Sequence, residues 1–360
     1  MKLAVVTNKP YKNCETFIKA QIDLLPFEMV HYWGKVPPFN CEIPKKNLAT
    51  KAINKLVSQP VSKIDFFAKE LIASGVSAVL AQYGMIGANV LPSCKKANLP
   101  LIVHFHGHDA VRHSVLENFK QKYSEMFSYE KTTVVSVSNE MTKRLIAIGC
   151  PEEKIVYNTY GPNDLFLDLK PTYSKEQFVS IGRFTEKKAP HITLLAFSKV
   201  LSEFPNARLI YAGDGPLLDS CKDLSEALNI NNNVSFPGRI TPNEYRDLLT
   251  QSLAYVQHSV EAKDGDMEGT PVSILEASGA GLAIVSTVHA GIPDVIVHRE
   301  TGLLGEERDA DTMAKNMQWI LQNKEETKIM GANGKTRIRD NYSMKHHIDR
   351  LATIVKNAVN

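Results

Sequence analysis

The sequence predicts an α/β protein made of two doubly wound, Rossmann-like domains. Short apolar, β-branched runs alternate with longer amphipathic stretches. The apolar runs are nearly continuous, as in parallel strands covered by helices on both faces. The alternation also runs once through the first half of the chain, lapses, and restarts near residue 177. A length of 360 residues accommodates two domains of ordinary size.

In the first half, strands are expected at Leu3–Thr7, Met29–Trp33, Ala78–Gln82, Leu101–Phe105 and Thr133–Ser138, with a further run at Lys154–Asn158. Helices there include Ser62–Ile72, Val115–Met126 and Glu140–Ile148. Tyr160, Gly161, Pro162, Asn163 and Asp164 make a dense turn cluster. The stretch from Leu167 to Lys175 is polar, carries a proline and lacks periodicity, so it is expected to be a linker. In the second half, strands are expected at Phe178–Gly182, Arg208–Ala212, Val234–Phe236, Ala254–His258 and Ala283–Ser286. The helices are Ile192–Phe204, Leu217–Leu228, Asn243–Thr250, Val272–Gly279, Ala310–Gln322, Glu325–Asn333 and Met344–Val359. The expected division is a first domain over 1–166, a linker over 167–176, a second domain over 177–342, and a helix over 343–360 that packs on either domain.

Composition removes several classes of function. At 43% hydrophobic and 22% charged, the chain has apolar material for two cores and is neither disordered nor fibrous. Five scattered cysteines (Cys14, Cys41, Cys94, Cys150, Cys221) with no C-x-x-C pair argue against a disulfide framework or structural zinc, and for a reducing cytoplasm. The first apolar run, Leu3 to Val6, is too short for a signal peptide. No apolar stretch approaches the roughly 20 residues of a membrane span. The most apolar region, Pro271 to Val297, is broken by Glu276, His289, Pro293 and Asp294. Net charge is +3, but residues 1–170 hold 21 Lys and Arg against 15 Asp and Glu, whereas the remainder is slightly acidic. A basic first half suits an anionic surface, though the lysines form no dense block of the kind that binds nucleic acid.

Three segments of the second half point to a phosphate-bearing ligand. Gly182-Arg183-Phe184-Thr185-Glu186-Lys187-Lys188 follows a strand, where Arg183 and one lysine can meet a diphosphate, although a solvated charged loop reads equally well. Ala212-Gly213-Asp214-Gly215-Pro216 has the glycines of a tight strand-to-helix corner, a weak signal by itself. The third, Glu268-Gly269-Thr270-Pro271-Val272-Ser273-Ile274-Leu275-Glu276, starts a helix with Thr270 as expected N-cap and Pro271 in the first helical position. Amides of Val272 and Ser273 at that N-terminus favour phosphate. At helical rise the two glutamates are about 12 Å apart, enough to reach two parts of one nucleotide-sugar. Glu276 sits among Val, Ile, Leu, Ala and Gly, where a lone acid needs a partner.

In the first half, His104, His106 and His108 alternate on one strand face beside Asp109. A metal site, a satisfied strand-end cluster and an acceptor-binding cluster are all open readings, and nothing beyond the alternation supports a ligand set. Asp264-Gly265-Asp266 invites a second metal reading, but the nearby cations already supply countercharge. No metal and no cofactor is expected.

Taken together, Glu-x7-Glu, the Gly-Arg-x4-Lys loop, Ala-Gly-Asp-Gly-Pro and Gly238-Arg239 resemble the motifs of retaining glycosyltransferases of family 4, with the GT-B fold. His104-Phe105-His106-Gly107-His108-Asp109 resembles that family's strand-end His-Gly segment. Ser136-Val137-Ser138 and Tyr160-Gly161-Pro162-Asn163 stand where it has two further elements. Cys14-Glu15-Thr16-Phe17 and Asp264–Gly269 look most like bacterial exopolysaccharide enzymes of the colanic-acid type. The resemblance spans essentially the whole chain. Ala189 stands where the family has glycine, and the N-terminal loop lacks a Gly-Gly pair.

The resemblance implies two domains facing across a cleft, and a retaining transfer of sugar from a UDP- or GDP-sugar to a saccharide hydroxyl in cell-surface polysaccharide synthesis. It implies that Arg183 and Lys188 clamp the diphosphate, Glu276 holds the ribose, and Glu268 and His106 meet the donor sugar. Gly238, Arg239, Gly269, Thr270, Pro271 and Val272 line the same site. Glu15, Thr16, His104, His108 and Asp109 are then acceptor-side candidates. The acceptor is expected to be lipid-linked, at the inner face of the cytoplasmic membrane, with Lys51, Lys55, Lys63 and Lys69 as contacts to anionic lipid. A nucleotide-sugar epimerase or hydrolase of the same fold, and a non-catalytic subunit of a polysaccharide complex, are the alternatives.

Overall fold

The computed structural model describes residues 1–13, 15–37, 39–41 and 62–360. Cys14, Lys51 and Lys55 lie outside them. Contacts divide the chain into one unit of Met1–Val137, Met141–Asn158 and Ile348–Asn360, and another of Ser138–Glu140 and Thr159–His347.

The first unit is built on a sheet of seven strands: β1 (Lys2–Thr7), β2 (Glu28–Trp33), β3 (Asn40–Cys41), β4 (Ala78–Gln82), β5 (Leu101–His104), β6 (Thr132–Ser136) and β7 (Ile155–Tyr157). Their spatial order is β3-β2-β1-β4-β5-β6-β7, parallel except for β3, which runs antiparallel to β2. Leu3 to Val6 and Ala78 to Ala81 are wholly buried, which is why these strands read as continuous apolar runs. The helix Gly84–Ala97 presses so close to the sheet that a Cβ at Gly84 would lie 2.2 Å from the Phe105 ring. Glycine is there for close approach.

The second unit carries six parallel strands: β8 (Gln177–Ile181), β9 (Arg208–Ala212), β10 (Val234–Ser235), β11 (Ala254–Val256), β12 (Ala283–Thr287) and β13 (Gly302–Gly305). Their order is β10-β9-β8-β11-β12-β13. Its core holds Phe178, Phe184, Phe197, Tyr211 and Met317. In each sheet the order reverses at a central pair, β1/β4 in the first and β8/β11 in the second. Loops beyond the carboxyl ends of such a pair are where open α/β sheets place ligands.

Several expectations need correction. Thr270 is not the N-cap: Pro271 occupies that position in an extended conformation (φ −64°, ψ 116°), and the helix runs Val272–Ala280 without a side-chain cap. Thr270 is instead buried, its hydroxyl facing Gly291. The helix expected to stop at Asn333 continues over Lys324–Asn341. Gly331 and Gly334 do not end it; a Cβ on them would strike the Gly281 carbonyl at 2.0 Å and the Ser278 hydroxyl at 2.7 Å. Strand β13 and the helices Thr16–Leu24 and Gly84–Ala97 were not foreseen. The stretch after Leu167 is tied down, with the Tyr173 hydroxyl donating to the Gly281 carbonyl at 2.8 Å and the Thr172 amide to Thr250 at 2.7 Å.

Candidate functional site

Four strand ends of the second sheet build the site. The loop after β8 is anchored by Phe184, whose buried ring packs on Tyr211 (centroids 4.5 Å apart) and whose amide donates to the Asp214 carbonyl at 2.8 Å. Anchoring Phe184 inward leaves Arg183 exposed. Adjacent lysines then diverge. Lys187 points inward, its ammonium 3.1 Å from Asp266 Oδ1 and 2.9 Å from the Met267 carbonyl. Lys188 lies 3.0 Å from Glu268 Oε1 and donates to Gln257 Oε1, also at 3.0 Å. Lys187 therefore braces the loop after β11, and Lys188 stands beside Glu268. Ala189 adopts the left-handed region (φ 35°), the conformation that glycine takes more cheaply.

Glu268 and Lys188 are both largely buried, with side chains 10% and 13% exposed. Burial opposes the Glu268 charge, but Lys188 and Lys187 outweigh it and hold the carboxyl down at about 2. Burial also draws Lys188 below its ordinary value, with the Glu268 carboxylate acting against that pull. The Glu268 carboxyl, held down by the adjacent ammonium groups, fits an ionised pair. Gln257 is oriented by its amide's bond to Ser259 Oγ (2.8 Å), with the Tyr255 hydroxyl 3.1 Å and the Ser273 hydroxyl 3.2 Å from its carbonyl oxygen.

Glu276 lies one turn into the helix Val272–Ala280. Burial lifts its carboxyl to about 7, against the lowering effect of the Tyr245 hydroxyl. The helix N-terminus adds the amides of Val272 and Ser273, which have no carbonyl within the helix to bond. The corner after β9 completes the floor. A Cβ at Gly213 (φ +132°) would sit 1.8 Å from the Gly182 carbonyl, and the Gly213 amide donates to the Gly238 carbonyl at 2.7 Å. Arg239 is exposed, its Nε donating to Asp214 Oδ2 at 2.5 Å.

In the first unit, Asp109 is fully buried and accepts the amides of Gly84 (2.8 Å), His106 (3.0 Å) and Gly107 (2.9 Å). It shapes the loop after β5, so an acceptor contact through its carboxylate is corrected to a scaffolding part. His104 is also fully buried, 3.3 Å from Gln21 Nε2. His106 is partly exposed, 2.8 Å from Gln82 Oε1, with its ring against Phe17 (4.9 Å) and Tyr83 (4.7 Å). His108 also meets Tyr83, at 5.3 Å. Glu15 precedes the helix Thr16–Leu24 and pairs with Lys9 at 3.2 Å. Among the described residues no group of three or more His, Cys, Asp or Glu is placed to hold a metal ion.

Residues 168–337 match the family model described as Glycosyl transferases group 1. This segment is a group 1 glycosyl transferase domain. It contains β8 to β13 and the second-unit residues Arg183, Lys188, Gly213, Glu268 and Glu276 described above. The chain is 28% identical over 275 residues to the Salmonella typhimurium protein named as colanic acid biosynthesis glycosyltransferase WcaL, covering 76% of this chain and 65% of WcaL. It is 31% identical over 240 residues to the amylovoran biosynthesis glycosyltransferase AmsK of Erwinia amylovora, covering 65% and 59%. The matches thus span under two thirds of these relatives' length. Among solved structures, HepE of Anabaena, crystallised with UDP, superposes with a TM-score of 0.78 over 99% of this chain and 100% of HepE, at 14% identity. A glycosyltransferase from Rickettsia africae gives 0.76 over 100% and 99%, at 16% identity. The fold is the GT-B fold, with two Rossmann-like parallel sheets.

The group 1 domain also contains residues that the motifs did not reveal. Gln257, Tyr255, Tyr245, His289 and Glu307 all reach the site through partners far away in sequence. Tyr83, in the first unit, takes a positive φ of 77° beside His106. Such a backbone costs on the order of 1–3 kcal/mol and gathers at functional loops, but no sequence signal marks it.

Proposed function

We propose that the protein transfers a sugar from a nucleoside-diphosphate sugar, UDP- or GDP-linked, to a hydroxyl of a saccharide acceptor, with retention at the anomeric carbon. The observation that carries this reading is the buried Lys188–Glu268 pair beside exposed Arg183 and the Val272 helix N-terminus. That arrangement offers fixed positive charge where a diphosphate leaves and a carboxylate held ionised next to it. Charge stabilisation of a leaving group by preorganised cations and amides is the strongest single catalytic device available here. Glu276 is suited to the ribose diol and Glu268 to the donor sugar. No metal enters, because the protein supplies the countercharge itself. HepE is a solved structure with UDP-glucose, and WcaL and AmsK are named for exopolysaccharide synthesis, which supports a nucleotide-sugar donor and a cell-surface polysaccharide product.

The acceptor in this reading is lipid-linked, and the protein works in the cytoplasm at the membrane's inner face. The helix Lys63–Ala73 supports it: Lys63, Phe66, Lys69 and Ile72 are all exposed at three-residue spacing, a mixed basic and apolar stripe. Among the described residues no helix is long and apolar enough to cross a membrane.

The test is nucleoside diphosphate release from UDP-glucose and GDP-mannose with a membrane extract as acceptor source. Arg183→Ala and Lys188→Ala should each lower turnover by about 10²–10³-fold. Near-wild-type kinetics in both variants would remove the clamp assignment; release that ignores added acceptor would favour the hydrolase, and conversion of the donor to another nucleotide sugar without release would favour the epimerase.

A further inference from the structure

Three successive strand ends of the second unit meet at the backbone of Glu268. From the end of β12, His289 places its ring Nε2 3.2 Å from the Glu268 amide. The other ring nitrogen, Nδ1, lies 2.6 Å from Glu307 Oε1, beyond β13. The His289 side chain is wholly buried. A carboxylate beside Nδ1 requires Nδ1 to carry the proton, which leaves the Nε2 lone pair to accept the Glu268 N–H. Glu307 Oε2 accepts a further amide, that of Glu261, at 3.0 Å, so the same carboxylate ties down the start of the loop that carries Glu268. The neighbours of Glu268 are held too: Lys187 grips the Met267 carbonyl, and the Gly291 amide donates to the Gly269 carbonyl at 2.9 Å.

We propose that His289, oriented by Glu307, is a positioning residue that fixes the Glu268 backbone and thereby aims its carboxylate across Lys188 at the donor sugar. The proposal rests on the nucleotide-sugar reading for its consequence, though not for its geometry. Packing alone does not call for an imidazole here. An apolar ring would fill the same space without burying polar atoms, whereas His289 satisfies one buried donor and one buried acceptor with a single side chain. Because the diphosphate and ribose contacts belong to Arg183, Lys188, the Val272 amides and Glu276, loosening Glu268 should affect the chemical step more than nucleotide binding. Misplacing a reacting group by about 1 Å costs on the order of 10²-fold in rate.

The test uses the full chain in two arms. In the first, hydrogen exchange of the Glu268 amide is compared between wild type, His289→Phe and His289→Gln. His289→Phe removes the ring acceptor of this amide, and exchange there should quicken by about tenfold. His289→Gln, whose carbonyl oxygen can take the place of Nε2, should restore most of the protection. In the second arm, His289→Phe should lower UDP-glucose turnover by about 10²-fold while leaving the dissociation constant of UDP within about threefold. Combined with Glu268→Gln it should add little to the loss that variant already shows. Unchanged exchange in His289→Phe, an additive double variant, or UDP affinity falling in step with turnover would each overturn the proposal. A wild type that turns over no nucleotide sugar would defeat the functional reading alone, since the exchange arm still decides whether His289 holds Glu268. Should His289→Phe not fold, His289→Gln and Glu307→Leu carry the same comparison.

Discussion

Glu276 and Glu268 are eight residues apart and respond to burial in opposite directions. Glu268 has cations within reach and stays ionised down to about 2, whereas Glu276 has only a tyrosine hydroxyl and rises to about 7. For Glu276 the folded protein binds the proton more tightly than the unfolded chain does, so stability is lost as pH rises from about 4.5 to 7. Glu276→Gln should therefore gain thermal stability over wild type progressively across that window. Hydrogen bonds from a ribose diol favour the ionised carboxylate, so wild-type affinity for UDP-glucose should climb through pH 7, and the variant's should not. Melting curves and calorimetry between pH 5 and 8 check both. A constant difference in melting temperature would contradict the assignment. For Glu268 the sign reverses: its contribution is present above pH 4.5 and lost as pH falls towards 2.

Elements position these residues through a few very close backbone contacts. The corner after β9 depends on Gly213, where a Cβ would meet the Gly182 carbonyl at 1.8 Å and a positive φ disfavours any side chain. Gly213→Ala should cost about 3 kcal/mol or more by denaturant unfolding and displace the Arg183 loop; a loss under 1 kcal/mol would show that the corner relaxes freely. At this scale the sequence was largely legible. The strands β1, β4, β8 and β12 announce themselves because both of their faces are buried, and Ala310–Gln322 and Met344–Val359 were placed to the residue. β13 escaped because Gly-Leu-Leu-Gly is short and half glycine, and Gly84–Ala97 because glycine and Pro92 mask a helix whose glycines serve packing. The motif residues Arg183, Lys188, Glu268 and Glu276 were legible in the same way, since their spacing is local. Their supports were not: Gln257, His289 and Glu307 lie on other loops, and only the sheet order brings them together. The choice between Lys187 and Lys188 likewise needed the fold, which turns one towards Asp266 and the other towards Glu268.

For the whole molecule, the two halves carry different charge, and the basic half also bears the exposed stripe of Lys63, Phe66, Lys69 and Ile72. Sedimentation with vesicles containing phosphatidylglycerol should retain more protein than neutral vesicles at low salt, with the preference weakening towards 0.5 M salt. Lys63→Glu with Lys69→Glu should remove most of it, and equal binding to both vesicle types would set the membrane reading aside. The central claim, however, is the nucleotide-sugar site of the group 1 domain. It is tested most directly by thermal unfolding of wild type and Lys188→Ala with UDP, GDP, ADP and their common sugar conjugates. A cognate ligand at about 100 times its dissociation constant stabilises by about 2.7 kcal/mol, a shift of a few degrees. The account predicts that shift for one nucleotide class in wild type and its loss in Lys188→Ala. No shift with any of them, or one that survives intact without Lys188, would contradict it.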